Sequence, residues 1–166
     1  MTKNECAHKY RHSGISSGLF YAIHLFFAIF GFTTKKKFMG KKIINTPLAP
    51  SPVGPYNQSV KSGNTLYLSG QIAIDQSTGD LITNSIEDET HQVMKNIGHV
   101  LSEAGMTYEN IVKCSVFVAD MHMYGRINAV YATYFNEDTA PARELVEVAN
   151  LPKFVNVEIS CIAVDL

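Results

Sequence analysis

The chain has 166 residues, of which 46% are hydrophobic and 17% are charged. This length suits one domain with some surplus and excludes a two-domain enzyme, and the apolar content excludes a disordered or fibrous chain. The net charge of -1 is the sum of two opposite segments. Residues 1–38 carry six basic residues and one acidic residue, a net charge of +5, whereas residues 39–166 carry eight basic and fourteen acidic residues, a net charge of -6.

Residues 1–38 are expected to form an extension separate from a folded domain at residues 39–166. Residues 15–32 are uncharged and mostly apolar, with basic residues on both sides. As a helix they would reach roughly 27 Å, close to the hydrocarbon thickness of a bilayer. A membrane anchor, an organellar presequence, a start-site extension before Met39 and an extra piece of the fold remain open. Localisation is thus cytosolic or organellar (mitochondrion or plastid), with membrane contact expected only through residues 15–32.

The first half of the domain predicts mostly strands and loops. Residues 42–45 are a short apolar start, and residues 46–55 contain four prolines and one glycine, which is typical of a loop. Segments 58–61 and 65–69 flank Ser62-Gly63-Asn64 and predict a β-hairpin, which residues 70–74 extend or follow with a new strand. Residues 75–80 have the composition of a polar turn.

The second half alternates between helices and strands. Apolar residues at three- and four-residue steps predict a helix over 86–104, capped by Ser85 and ended by Gly105. A largely buried strand is predicted at 111–119 and a second helix at 121–135. The last two strands are predicted at 145–148 and 155–164.

These elements predict an α+β fold with two helices and about six strands. Two helices can cover only one face of such a sheet, and a large exposed apolar face marks an interface. The sequence therefore predicts a homo-oligomer with closed symmetry.

Arg143 is a candidate for binding an anion. It follows Ala140-Pro141-Ala142 and precedes the strand predicted at 145–148, so its side chain could reach from a loop exit into a cleft. The planar guanidinium suits a carboxylate held by two parallel hydrogen bonds. An ion pair with Glu144, Glu147 or Glu158 is the alternative.

Glu158 is a candidate general base, because it lies in an otherwise apolar strand. Alternation places it on one face with Ser160 and Ile162. Burial would raise the pKa of this carboxyl and a nearby Arg143 would lower it, and the sequence leaves that balance open. A solvated strand glutamate is the alternative.

Other residues carry weaker signals. Tyr56, Ser69 and Gly70 lie at loop exits, where side chains often contact ligands. Cys114 and Cys161 lie in apolar runs and are interpreted as small hydrophobic residues. Four residues are interpreted as surface groups, the histidines without metal-ligand spacing: Arg126, His91, His99 and His122. Nucleotide-binding, zinc-protease and serine-hydrolase motifs are absent from the sequence.

Several short strings occur together and in order, which makes the combination specific. They are Gly54-Pro55-Tyr56-Asn57-Gln58, Ser69-Gly70-Gln71-Ile72, Ile127-Asn128-Ala129-Val130-Tyr131, Pro141-Ala142-Arg143, Val146-Glu147-Val148 with Leu151-Pro152, and Val157-Glu158-Ile159 with Ile162-Ala163. Over about residues 41–165 the sequence closely resembles the RidA/YjgF family of enamine/imine deaminases.

The resemblance implies a chorismate-mutase-like α+β fold, with a six-stranded mixed sheet, two helices on one face and a homotrimer with clefts between subunits. It also implies hydrolysis of 2-aminoacrylate, 2-iminobutanoate and 2-iminopropanoate to 2-keto acids and ammonia, which protects pyridoxal-phosphate enzymes. It implies no cofactor and no metal.

The resemblance also assigns residues. Arg143 matches the arginine that grips the substrate carboxylate, and Glu158 matches the acid that orients or activates water. Tyr56, Ser69, Gly70 and Asn128 match positions lining the same cleft. Leu145 stands at a substrate-binding position where many members carry a cysteine, two residues after the arginine. Activity survives there if only the backbone contacts the substrate, whereas a thiol-dependent role would be lost.

Two other functions remain open. One is a non-catalytic trimer that binds keto acids or acts like a chaperone. The other is an endoribonuclease or translation inhibitor, which the charge of -6 over residues 39–166 disfavours because phosphate recognition needs a basic surface.

Overall fold

The structure is a computed structural model that describes residues 40–166. The expectations for the extension at residues 1–38, including the apolar segment 15–32, lie outside the described residues. Among residues 40–166, no helix combines the length and the apolar character needed to cross a membrane.

Residues 40–166 contain one six-stranded mixed sheet, in the order β1-β2-β3-β6-β4-β5. The strands are β1 Lys42–Ile44, β2 Ser59–Ser62, β3 Thr65–Gln71, β4 Ile111–Val118, β5 Ala142–Glu147 and β6 Val157–Val164. Neighbouring strands are antiparallel except β4 and β5, which are parallel. Two helices, α1 Ile86–Glu103 and α2 Tyr124–Ala132, complete the α+β fold. The predicted fold class is confirmed.

The predicted hairpin is present as β2 and β3. Ser62 pairs with Thr65 at its tip, and Gly63 has a φ of 65°, a left-handed conformation that glycine adopts without steric cost. The second arm continues through Gln71, so residues 70 and 71 extend it. The pairing of β3 with β6 is irregular between Leu68 and Gln71, as in a β-bulge.

Helix α1 begins and ends as predicted. The Ser85 hydroxyl oxygen accepts a hydrogen bond from the Asp88 backbone N–H at 3.1 Å and donates one to the Asp88 carboxylate at 2.8 Å. Gly105 follows the helix with a φ of 74°. The buried face packs against the sheet through side chains that are fully buried, namely Val93, Met94, Ile97, Val100 and Leu101.

Helix α2 is shorter than the predicted 121–135. A 3-10 turn at Met121–Met123 precedes it. After Ala132, the N–H groups of Thr133, Tyr134 and Phe135 bond to carbonyls three residues back instead of four. The end of the helix is therefore tightened into 3-10 geometry, a local change that hydrophobic periodicity does not reveal.

The last two strands begin at different residues from those predicted. β5 starts at Ala142 and not at residue 145, because Ala142 already pairs with Lys113 in the parallel ladder. Arg143 thus lies within the strand, opposite Cys114, and the expectation that it occupies a loop exit is wrong. β6 starts at Val157, after a short 3-10 turn at Pro152–Phe154.

Burial alternates along the central strands. In β6, Val157, Ile159 and Cys161 are buried beneath the helices, whereas Glu158 and Ser160 face the other side and are partly exposed. Burial alternates along β4 in the same way, so within one chain the strand predicted to be largely buried is buried on one of its two faces. Cys114 and Cys161 are free and buried, with their Sγ atoms 3.4 Å apart, as expected of small hydrophobic residues.

Ser85→Ala tests the cap of α1. The substitution leaves the Asp88 N–H without its side-chain acceptor, so we expect the free energy of unfolding to fall by about 1 kcal/mol. Urea unfolding at fixed protein concentration measures this change. Ser102→Ala, in the exposed last turn of the same helix, is the control and should change stability by less than about 0.5 kcal/mol. Equal effects of the two substitutions would contradict the cap.

Candidate functional site

Arg143 is held by side chains of α2. Its Nη1 donates to the Asn128 Oδ1 atom at 2.8 Å, and its Nη2 donates to the Tyr124 hydroxyl at 3.3 Å. The guanidinium carbon lies 4.9 Å from the centre of the Tyr131 ring, within the range of a cation–π interaction. Neutral groups therefore fix the orientation of the guanidinium.

No carboxylate pairs with Arg143 among residues 40–166. Glu144 instead binds Lys113 at 3.0 Å and the Ser115 hydroxyl, and Glu147 accepts from the Met121 N–H at 2.7 Å. The predicted alternative of an ion pair with a neighbouring glutamate is thus wrong for this chain. Arg143 lines a cleft of about 680 Å³ together with Asn128, Tyr131, Phe135 and Pro141.

Glu158 lies in a second, smaller cavity of about 110 Å³. Tyr56, Gly70, Ile72 and Pro152 line it as well. The side chain is partly buried, and burial raises the pKa of its carboxyl above the ordinary value. Of the two opposing effects left open by the sequence, burial is the one that acts within this chain.

Gly70 lets the Glu158 carboxylate lie directly against the β3 backbone. A Cβ atom at this position would overlap the Glu158 carboxylate. Any larger residue here would displace the Glu158 side chain, so glycine is what allows this close approach.

Two polar residues hold the walls around Glu158. The buried Gln58 accepts from the Thr46 N–H at 2.6 Å and donates to the Thr46, Ala49 and Pro50 carbonyls. It thereby fixes the proline-rich loop that precedes Tyr56. The Ser69 hydroxyl donates to the Asn57 carbonyl at 2.7 Å, which attaches the end of this loop to β3.

The sequence-predicted residues fall into two groups on opposite faces of the sheet. Arg143 lies on the helix-covered face, since it contacts α2 and shares its side of β5 with Leu145, which packs against the core. Glu158 lies on the open face. Asn128 joins the first group, and Tyr56 and Gly70 join the second. One chain cannot place Arg143 and Glu158 around the same small molecule, because the sheet separates them.

Tyr124 and Tyr131 were not identified as site residues from the sequence. Together with Asn128 they stand four and three residues apart, a spacing that aligns side chains on one face of a helix. This alignment of two tyrosines and an asparagine was the available signal. This signal could be interpreted only together with Arg143, whose side chain extends from β5 to the same face of the helix.

A sequence model of the family described as Endoribonuclease L-PSP matches residues 46–165. A RutC family protein of Synechocystis is 50% identical over 127 residues, covering 76% of this chain and 98% of that protein. The 2-iminobutanoate/2-iminopropanoate deaminase of Mus musculus is 43% identical over 125 residues, covering 75% of this chain and 92% of that protein. The chain belongs to the RidA/YjgF family.

The solved structures agree with this RidA/YjgF assignment. The crystal structure of Escherichia coli TdcF with bound serine has a TM-score of 0.71 and 38% identity, and the match covers 75% of this chain and 99% of that one. The family match includes every candidate residue from Tyr56 to Glu158. The resemblance identified from the sequence strings is thereby confirmed.

Gly70→Ala tests the contact between Gly70 and Glu158. The added methyl group should push the flexible carboxylate toward water, so the pKa of Glu158 should fall toward the ordinary glutamate value of about 4.3. A carbon-13 NMR titration of the Glu158 carboxyl measures the shift. In Gly125→Ala, the control, the new methyl group meets no atom within 4 Å and the titration should not change. An unchanged titration in Gly70→Ala would contradict the proposed packing.

Proposed function

We propose that this protein hydrolyses small 2-imino and 2-enamino acids, including 2-aminoacrylate, 2-iminobutanoate and 2-iminopropanoate, to 2-keto acids and ammonia. The observation that carries the proposal is a preorganised Arg143 whose partners within residues 40–166 are all neutral. Such a guanidinium is ready to bind a carboxylate supplied by a ligand. The deaminase name of the mouse relative supports this reaction class.

The reaction requires little machinery. Once the imine nitrogen is protonated, its carbon is electrophilic, and a water oxygen bonds to that carbon while the C=N electron pair moves to nitrogen. The added water gives up one proton and the nitrogen gains one; the remaining hydroxyl then loses its proton as the C–N bond breaks, which forms the keto group and releases ammonia. A 2-enamino acid enters the same route after a proton adds to its C3 carbon and converts it to the protonated imine. Orientation of water and substrate supplies much of the rate enhancement.

Arg143 binds the substrate carboxylate in this mechanism. Asn128 and Tyr124 hold its guanidinium by hydrogen bonds and Tyr131 supports it by stacking, so little side-chain freedom is lost when the substrate binds. Leu145 packs against the core on the same strand and offers the substrate only its backbone. The mechanism therefore uses no thiol at this position.

Glu158 orients the attacking water and accepts its proton. Burial raises the pKa of this carboxyl, which makes its carboxylate a better proton acceptor than that of an exposed glutamate. Gly70 allows the close approach of this carboxylate to the β3 backbone, Tyr56 lines the cavity, and Ser69 holds the loop that carries Tyr56.

The active form is proposed to be a homotrimer with its sites between subunits. Since Arg143 and Glu158 lie on opposite faces of one sheet, a shared site needs Arg143 of one chain and Glu158 of another. The open face also presents exposed apolar side chains, among them Tyr67 and Val146, that a neighbouring subunit would cover.

Two observations favour small acids over RNA as substrates. The net charge of -6 over residues 39–166 opposes binding to a phosphate backbone. The TdcF relative is described with bound serine, a small molecule that carries a carboxylate. A 2-keto acid that binds in calorimetry without any turnover of the imine would instead support the non-catalytic alternative.

Arg143→Ala tests the carboxylate-binding role. It removes the two charge-assisted hydrogen bonds between Arg143 and the substrate carboxylate, each worth about 1.5 to 3 kcal/mol, so kcat/KM should fall roughly 10²- to 10⁴-fold. The assay couples the protein to a dehydratase that generates 2-iminobutanoate and follows release of keto acid. Arg126→Ala is the matched control, since Arg126 is exposed and pairs with Glu87 at 2.6 Å. Equal rates for the wild type and Arg143→Ala would refute the proposal.

Mixed trimers test the location of the site. Chains carrying Arg143→Ala and chains carrying Glu158→Gln should each be inactive alone, whereas unfolding and refolding an equal mixture should restore about a quarter of the wild-type activity. The restored sites would combine Arg143 of one chain with Glu158 of its neighbour, as random assembly of a symmetric ring allows. If both residues act from one chain, the mixture will stay inactive.

A further inference from the structure

Glu89, in the first turn of α1, is a fully buried charged residue that the proposed mechanism does not use. Its Oε1 accepts hydrogen bonds from the backbone N–H groups of Asn156 at 2.6 Å and Val157 at 3.2 Å, and its Oε2 accepts one from the Asn156 side chain at 2.8 Å. No basic side chain within residues 40–166 pairs with it. A buried carboxylate is stable only when donors satisfy it, and here all the donors belong to two consecutive residues.

Those two residues end a strained turn. Lys153 and Phe154 both have a φ of 56°, a left-handed conformation that costs energy in residues with a Cβ atom. Strain of this kind persists only where the surroundings hold the backbone in place. Within one chain the Phe154 side chain does not hold the turn, since it is 85% exposed. Glu89 instead holds the backbone at Asn156, two residues after Phe154, through its hydrogen bonds.

The same turn forms a wall of the Glu158 cavity. Pro152 and Lys153 line that cavity together with Glu158. Glu158 directly follows Val157, whose N–H Glu89 binds. Glu89 therefore holds, from the opposite side of the sheet, the short segment that carries both the wall and the candidate base.

The sheet itself restrains Glu158 on one side only. Toward β4 the ladder is regular, with Val118 opposite Val157 and Phe117 opposite Glu158. Toward β3 the pairing is irregular opposite Ser160 and ends with Gln71 opposite Ile159, so Glu158 and Val157 have no paired residue on that side. The start of β6 thus needs a second restraint, and Glu89 provides it.

We propose that Glu89 is a positioning residue for the deaminase reaction, which sets the direction of Glu158 and the shape of its cavity through the backbone of Asn156 and Val157. This inference rests on the proposed function. Glu89 does not touch the cavity, since its carboxylate lies beneath the sheet among the N–H donors of the turn.

Glu89→Met and Glu89→Gln together test the role. Methionine keeps the volume but accepts none of the three hydrogen bonds, so we expect kcat to fall about 10²-fold, the size of effect that follows a 1 Å misplacement of a reacting group. KM should change by less than about threefold, because Arg143 and its partners are untouched. The glutamine oxygen still accepts from both backbone N–H groups, and its NH₂ group can donate to the Asn156 side-chain oxygen once the Asn156 amide flips. The kcat of Glu89→Gln should therefore stay within about threefold of the wild type.

Glu87→Met is the matched control. It removes a carboxylate from the same helical turn, but Glu87 is partly exposed and pairs with Arg126 and not with Asn156. Its kcat should match that of the wild type. The rates are normalised to folded trimer measured by circular dichroism and light scattering, so that a loss of stability alone does not lower them.

If Glu89→Met does not fold, Asn156→Ala carries the test. It removes only the 2.8 Å side-chain contact, and kcat should fall several-fold while KM is retained. Amide hydrogen exchange at residues 153–158 should accelerate in this variant and not in Glu87→Met.

The outcomes separate the two proposals. A wild-type protein without imine turnover would overturn the proposed function and, with it, the positioning role. Wild-type turnover together with an unchanged kcat in Glu89→Met, or in Asn156→Ala where the first variant does not fold, would overturn the role of Glu89 alone. A rise in KM with an unchanged kcat would also overturn it, because that pattern indicates lost binding and not misplaced chemistry.

Discussion

Alternation of side chains across a single sheet is the constraint on which the rest of this structure depends. Successive residues of β5 and β6 point to opposite faces, and the helices cover only one of them. Arg143 and Glu158 consequently face away from each other within one chain. Oligomerisation is then a condition for chemistry that uses both residues, and the exposed apolar side chains of the open face give that association a hydrophobic driving force.

Arg143 and Glu158, the two parts of the proposed site, are stabilised by different kinds of interaction. Arg143 extends from an edge strand toward α2, where two hydroxyl or amide oxygens and an aromatic ring support it. Glu158 lies in a concave part of the open face, where burial and a glycine neighbour determine its surroundings. Neutral support leaves the guanidinium's charge available to a ligand, and burial makes the carboxylate more basic.

Buried polar residues organise the loops around Glu158. Gln58 binds the loop before β2, and Glu89 binds the turn before β6, each through several hydrogen bonds to the backbone. Such residues lower the freedom of segments that contain little regular structure, since an unsatisfied backbone group in the interior is costly. Two loops distant in sequence are therefore held as walls of one cavity.

Much of the fold could be predicted from sequence because its signals are local. The three- and four-residue periodicity of α1, the Ser85 cap, the turn at Gly63 and the alternation in β6 each depend on neighbours within a few residues. The family strings likewise indicated Arg143 and Glu158. Tertiary structure alone decided the start of β5, because its pairing with β4 joins residues about thirty positions apart. It also decided that Arg143 has no carboxylate partner within residues 40–166, that Glu89 is buried against Asn156, and that Arg143 and Glu158 lie on opposite faces, since these facts follow from how distant segments pack.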